Sequence, residues 1–301
     1  GSGQAETALE ITEQEGTLIQ VYVWDRESHR PLRPVTTLEP YSETQIEKVQ
    51  PTYPGYVSRA VTFSYDDGVI QDERLAALFE KYGMKATFNI VPGKVAAQQS
   101  NVLTAEQMKA VYQNHEVANH TYSHKPLFLM EGQTAQDSKG GTLKGVSLET
   151  AVDEVEKGRQ WIFDNLGVAV QGLAWPNGTP DKRTDYTELK NVVQSGHFYT
   201  RWKESGAFAL PENWLEWDST CHHRSMPQYT ERFLSMENGG ALQCYFVWGH
   251  AYEFEQSGAA MNWEEMEKQL QRLAEQEIWK ASNGEIYTYC IAVGMLKQEG
   301  N

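Results

Sequence analysis

Hydrophobic and polar positions follow two alternating rhythms along most of this chain. From residue 58 onward, short runs rich in β-branched and aromatic residues alternate with stretches whose apolar residues recur three and four apart. The first rhythm is that of a strand and the second that of a helix. Residues 61–65 predict a strand. Residues 72–82 predict a helix with Leu75, Leu78 and Phe79 on its apolar face, ending at Gly83. Residues 86–91 predict a strand closed by Pro92-Gly93. Residues 104–114 predict a helix capped by Thr104, with Gln107 in the capping-box position. A short strand follows at 116–118. The glycine-rich, polar stretch 131–146 reads as a loop, and 147–166 as a long helix that Ser147 and Thr150 begin. Beyond it the pattern predicts strands at 170–174, 198–200 and 242–248 and helices at 185–195, 229–237 and 263–277. It ends with a last strand at 286–291.

Strands alternating with helices through short connections imply an α/β fold with a parallel sheet, open or closed into a barrel. Before residue 58 the pattern changes. Residues 1–16 are polar and acid-rich, 18–24 alternate enough for a strand, and 29–57 carry five prolines and read as an extended connector. The expected division is an N-terminal extension and wrapping connector over 1–57, one domain over 58–297 and a tail over 298–301.

Composition narrows the function. The chain has 301 residues, 40% of them hydrophobic, which suffices for a full core. Its formal net charge of −15 argues against nucleic acid as a partner and favours a neutral or weakly charged one. No apolar run approaches the length of a membrane span. Gly1-Ser2-Gly3 reads as a cloning remnant, so any native leader is expected upstream. Localisation stays open between cytoplasmic and secreted or periplasmic. Cys221, Cys244 and Cys290 form neither a zinc ribbon nor a disulfide framework and read as buried thiols. Oligomeric state is not legible.

The chemistry concentrates in a few places. The run Val61-Thr62-Phe63-Ser64-Tyr65 stops at Asp66-Asp67-Gly68, which delivers two carboxylates to a strand end. His120 and His124 lie four apart, a spacing that can place both on one side of a helical turn. Two histidines and one carboxylate make an ordinary ligand set for a catalytic divalent metal, and a second carboxylate beside them can act as general base. Alone, Asp-Asp-Gly is usually a turn and His-x-x-x-His a surface pair. Together, and with Asp66, His120, Pro176, Arg201 and His250 all at strand ends, they point to one site at the C-terminal mouth of a barrel.

These motifs resemble the polysaccharide deacetylase family, the NodB-homology or carbohydrate esterase family 4 group, over roughly residues 58–297. Thr62 to Gly68 looks like the first family motif, His120-Thr121-Tyr122-Ser123-His124 the second, Ala174-Trp175-Pro176-Asn177-Gly178 the third, and Val247-Trp248-Gly249-His250 the last. The resemblance implies a distorted, incomplete (β/α) barrel. It implies one divalent metal, zinc before cobalt, nickel or manganese, held by Asp67, His120 and His124. It also implies Asp66 as base and His250 as acid in hydrolysis of a sugar acetamide or acetyl ester by metal-bound water. The third motif usually carries an arginine that tethers the base. Ala174 stands there instead, and Arg201 is the candidate replacement. Asp218, in Trp217-Asp218-Ser219-Thr220-Cys221-His222-His223, is the candidate to orient His250. His222 and His223 are candidates to line the pocket or approach the metal. Trp175 and Trp248 are expected beside the substrate, as are Asn177, near which a backbone N–H is a candidate oxyanion donor, and Glu253, a candidate partner of substrate hydroxyls.

The reading preferred on these grounds is N-deacetylation of an N-acetylhexosamine-containing glycan. Its rivals are an O-acetyl esterase of the xylan type, a metal-dependent amidohydrolase acting on a non-sugar amide, and a non-catalytic carbohydrate-binding protein that kept the fold. Retention of base, ligands and acid weighs against the last.

Overall fold

A computed structural model describes residues 23–24, 31–32, 52–137, 140–237 and 240–298, with side chains to residue 293. Eight strands form one path: β1 (Arg59–Asp67), β2 (Ala86–Ile90), β3 (Glu116–Asn119), β4 (Gly172–Ala174), β5 (Tyr199–Glu204), β6 (Trp217–Ser219), β7 (Cys221–His222) and β8 (Gln243–Gly249). Their spatial order is β6-β5-β4-β3-β2-β1-β8-β7, and every ladder is parallel. A ninth strand, β9 (Trp279–Lys280), pairs parallel with the start of β1. The two ends of the path, β6 and β7, are separated in the chain by Thr220 alone. The Thr220 N–H donates to the Phe246 carbonyl at 2.7 Å. The sheet is therefore a nearly closed barrel with one seam.

Parallel neighbours need crossovers, and helices supply most of them. They are α1 (Asp72–Lys81), α2 (Ala105–Val111), α3 (Leu148–Leu166), α4 (Tyr186–Gly196), α5 (Met226–Leu234), α6 (Trp263–Ala274) and α7 (Asn283–Gln298). Local signals start and stop them as expected. Thr104 and Gln107 form a reciprocal capping box on α2, Ser147 accepts the Thr150 N–H of α3, and Gly167 ends α3 in the left-handed region at φ 70°.

The alternation in β1 separates two kinds of interior. All nine of its residues are buried. Phe63 and Tyr65 pack outward on Phe79 of α1, with ring centroids 4.8 and 5.8 Å apart. Their neighbours face the barrel axis and are polar. Thr62 Oγ1 donates to Asn283 Oδ1 at 2.6 Å, and Ser64 Oγ accepts from Asn89 Nδ2 at 2.7 Å and Arg201 Nη1 at 3.1 Å. Apolar contacts hold helices to the outside of the barrel, and inside it a hydrogen-bonded polar column runs along β1 beside Phe246, which is in register with Thr62, and Trp217.

Several expectations are corrected. The strand expected at 286–291 lies inside α7. Its aromatic and β-branched content resembles a strand, but a capping box begins the helix: the Ser282 N–H donates to Glu285 Oε2 at 2.8 Å and the Glu285 N–H to Ser282 Oγ at 3.3 Å. The stretch 131–146 contains an antiparallel hairpin, Thr134–Gln136 with Thr142–Lys144. Pro92-Gly93 opens a short helix, Pro92–Ala96, because proline fits a first helical turn. The helix expected at 229–237 begins at Met226, with Pro227 in its first turn. The segment after Leu215 holds two short strands that sequence periodicity is too brief to reveal. Of the N-terminal expectations, only Val23–Trp24, paired antiparallel with Pro31–Leu32, and residues 52–57 fall among the described residues. Tyr53 and Val57 pack against the barrel with Trp217, Phe246 and Ile286.

Candidate active site

The end of β1 places two adjacent carboxylates on opposite sides of the strand. Asp66 points to the barrel axis and is buried. Arg201 grips it with two bonds, Nη1 to Oδ1 at 2.7 Å and Nη2 to Oδ2 at 2.5 Å, and Asn89 Nδ2 adds a third to Oδ1 at 2.8 Å. Arg201 stands on β5 in register with Ala174 of β4, and in-register residues of parallel strands project to one face. An arginine one strand over thus reaches the aspartate past the small side chain of Ala174. Burial pushes the Asp66 carboxyl up, but the Arg201 guanidinium, with help from His120, holds it well below the usual carboxylate range.

Asp67 turns toward the rim, where its donor atom and those of His120 and His124 all lie within 4.8 Å of one another. The histidine pair sits on a loop rather than the expected helical turn, with Thr121 and His124 at φ 63° and 61° and Asp67 at 82°. Positive φ is rare for such residues and costs about 1–3 kcal/mol each in strain, which the surroundings must offset. The donors fit a metal. His120 Nδ1 lies 2.8 Å from the Ala174 carbonyl, which can only accept, so the proton sits on Nδ1 and Nε2 keeps its lone pair. Burial lowers His120 below the usual histidine range. Burial and the neighbouring His120 take His124 to about 4, so both rings are neutral at pH 7, as ligation requires. Lys94 Nζ, not anticipated from sequence, donates to Asp67 Oδ1 at 2.9 Å.

His250 lies at the end of β8, with Nε2 3.9 Å from Asp66 Oδ2. The acid beside its ring is Glu253, whose Oε1 is 3.4 Å from His250 Nδ1. The Asp218 expectation is corrected. Alternation along β6 buries Trp217 and Ser219 and turns Asp218 outward, where its Oδ1 accepts the Lys203 N–H at 3.0 Å. Glu253 is likewise no partner of substrate hydroxyls, because three histidines and an arginine surround it. His222 Nε2 and His223 Nε2 lie 3.1 and 2.9 Å from Oε2, and Arg224 Nη2 donates to Oε1 at 2.8 Å. His223 is fully buried and stacked on Phe254, and His222 packs edge-on against Trp248. Neither lines the cleft. His222, His250 and Glu253 resemble a second metal cluster in composition. However, His222 Nδ1 accepts the Arg224 N–H at 3.2 Å, so its proton sits on Nε2 and faces Glu253 as a donor. Burial alone would lower the His250 pKa, but Glu253, followed by Asp66 and Asp67, raises it above the usual histidine value.

These groups open on a cleft of about 440 Å³ lined by Asp66, His120, His124, Arg201 and His250 together with Trp175, Asn177 and Trp248. Trp202, Lys203 and Glu204 extend the wall and had no marking signal in the sequence. Asn89 did have one. It is a polar residue at the axis-facing parity of an apolar strand, directly opposite Asp66.

Residues 56–194 match the family model described as polysaccharide deacetylase. This segment belongs to the polysaccharide deacetylase family. The family's fold extends over more of the chain than the sequence match. A candidate polysaccharide deacetylase from Mycobacterium smegmatis is 13% identical and superposes with a TM-score of 0.54 over 81% of this chain and 94% of that one. Peptidoglycan deacetylase PdaC from Bacillus subtilis, solved as a point mutant, is 15% identical, with a TM-score of 0.48 over 80% and 97%. A CE4 family pseudoenzyme from Bacillus anthracis is 16% identical, with a TM-score of 0.46 over 76% and 65%. No curated protein sequence matches the chain.

Proposed function

We propose that the chain is a metal-dependent hydrolase that removes acetyl groups from an acetylated carbohydrate, acting on the N-acetyl group of an N-acetylhexosamine-containing glycan. The observation that carries this reading is the convergence of a charge-paired aspartate, an oriented histidine and a three-donor metal cluster on one cleft. Binding alone needs no such set.

In the proposed reaction water adds to the acetamide carbonyl carbon, the C–N bond breaks, acetate departs and the amine takes a proton. A divalent cation held by Asp67, His120 and His124 would polarise the carbonyl and acidify water. Asp66 takes the proton from the attacking water. Arg201 binds both oxygens and Asn89 adds a second donor to Oδ1, so Oδ2, with one donor and facing His120 at 3.6 Å and His250 at 3.9 Å, keeps the free lone pair and is the accepting corner. Arg201 keeps that carboxylate ionised and in one rotamer. His250 enters the step protonated, favoured by Glu253 at Nδ1, and delivers the Nε2 proton to the leaving nitrogen. Trp175 and Trp248 wall the cleft and offer faces to sugar C–H groups.

Acetate release from N-acetylglucosamine oligomers and from acetylated xylan, each with and without chelator, tests the reading. Chelator-sensitive release from the oligomers is expected. Release from xylan alone would replace it with the esterase reading, and glycan binding without any release would make the protein a non-catalytic module. Metal analysis of the purified protein names the ion, since nitrogen and oxygen donors suit zinc, cobalt, nickel or manganese.

A further inference from the structure

The loop that carries His120 and His124 has no regular hydrogen bonding of its own and holds two non-glycine residues in the left-handed region. Something outside it must hold that shape. The contacts come from α3, from Asn119 at the end of β3, and from Gly93, whose N–H donates to the Tyr122 carbonyl at 2.6 Å. The Glu154 side chain, 4% exposed, reaches back to Ser123: Oε2 accepts the Ser123 N–H at 2.7 Å and Oε1 the Ser123 hydroxyl at 2.6 Å. The Glu154 backbone carbonyl accepts the Tyr122 N–H at 2.9 Å. One turn on, Gly158 lets the helix come close, since a Cβ there would meet Asn119 Oδ1 at 2.4 Å and the Thr121 backbone at 3.1 Å. Asn119 in turn accepts the Thr121 N–H at 3.0 Å. Three successive peptide N–H groups between the two histidines, at Thr121, Tyr122 and Ser123, are thus fixed by Asn119 and Glu154.

We propose that Glu154 is a positioning residue of the metal site: by holding Ser123 it sets the backbone from which His124 reaches Asp67. It touches neither the metal donors nor the cleft, and acts through the loop. The inference rests on the metal cluster proposed above. A carboxylate is the side chain the position needs, because it accepts from a backbone N–H and a hydroxyl at once. Glutamine preserves both bonds to Ser123, since its oxygen accepts the Ser123 N–H and its amide donates to a hydroxyl that can turn to accept. It gives up only the ion pair of Oε1 with the half-exposed Lys125 ammonium at 3.2 Å. Alanine removes both bonds, and aspartate withdraws them by one methylene.

The test is Zn²⁺ and Co²⁺ binding to the full chain, by calorimetry and by the visible spectrum of bound Co²⁺. The variants are Glu154→Ala, Glu154→Asp and Glu154→Gln, each checked for its thermal midpoint. Glu154→Ala and Glu154→Asp are expected to weaken both metals tenfold or more and to alter the Co²⁺ spectrum, and Glu154→Gln to stay within about threefold of the parent. If Glu154→Ala does not fold, the aspartate and glutamine variants decide between the outcomes. Parent-like affinity and spectrum in a folded alanine or aspartate variant would overturn the proposal while leaving the metal site standing. Absence of metal binding by the parent chain would overturn both.

Discussion

The two mouths of the barrel each hold a carboxylate, buried in one case and part-buried in the other, and the two are tuned in opposite directions. At the C-terminal mouth Asp66 is paired with Arg201, lies on an open cleft, and is held well below the usual carboxylate range. At the N-terminal mouth Glu116 begins β3. Its partners are neutral donors, namely the Tyr199 hydroxyl, the Thr87 hydroxyl and the Gly284 N–H, all at 2.7 Å. Burial dominates there and raises its carboxyl. A larger cavity, about 650 Å³, lies beside Glu116, yet no metal-ligand group converges on it among the described residues. Cavity size does not locate the chemistry. A carboxylate kept ionised by a buried cation is equipped to take protons, whereas one held by neutral donors anchors α7 to the barrel.

The sharpest way to break this contrast is to neutralise each acid in turn. Asp66→Asn is expected to lower kcat for acetate release by about a thousandfold, the scale of a lost general base. Glu116→Gln should leave kcat within a factor of two, and equal losses in the two variants would end the distinction. The second largest effect is expected in stability. Arg201→Met strands a buried anion and should cost about 3–5 kcal/mol in urea unfolding, with little change in the slope of the transition. Lys203→Met, which breaks an exposed pair with Asp181, should cost under about 1 kcal/mol.

Two smaller effects sharpen the comparison through pH. In the proposed reaction His250 acts protonated, so activity is expected to be lost as pH rises through the His250 pKa. Glu253→Gln removes the main group that raises that pKa and should move the basic limb of kcat/KM to lower pH, leaving the acidic limb in place. An unmoved basic limb would remove Glu253 as the partner of the acid. Stability responds with opposite slopes at the two mouths. The depressed Asp66 adds stability above the ordinary aspartate range and loses it as pH falls. The raised Glu116 keeps its proton folded where the unfolded chain has released it, so stability falls as pH climbs from about 4.5 toward the raised value. Glu116→Gln should therefore gain on the parent chain over that window in urea midpoints, and a constant difference across it would contradict the assignment.

The alternation of β1 with α1, β2 and α2 was legible because each element has one apolar face and its own start or stop signal. Arg201 was legible as a replacement because Ala174 leaves the expected arginine out and the next strand ends with one. What escaped depended on strand parity or on a single cap. Asp218 sits among histidines in the sequence, but a period of two turns it outward, and the acid beside the His250 ring is Glu253, three residues past it. The helix at 286–291 was hidden by strand-like composition, although Ser282 and Glu285 announced it. Glu154 lay on a long helix with nothing in its sequence to set it apart, and only the fold shows that it, like Arg159, is buried.

Thr220 is the sole link between the first and last strands of the sheet path. Its N–H and hydroxyl both bond the Phe246 backbone across the seam, so the edges of β6 and β7 meet a partner there instead of offering unpaired peptide groups to other chains. Thr220→Val, which removes the hydroxyl that accepts the Phe246 N–H at this buried joint, should accordingly loosen the seam and promote self-association.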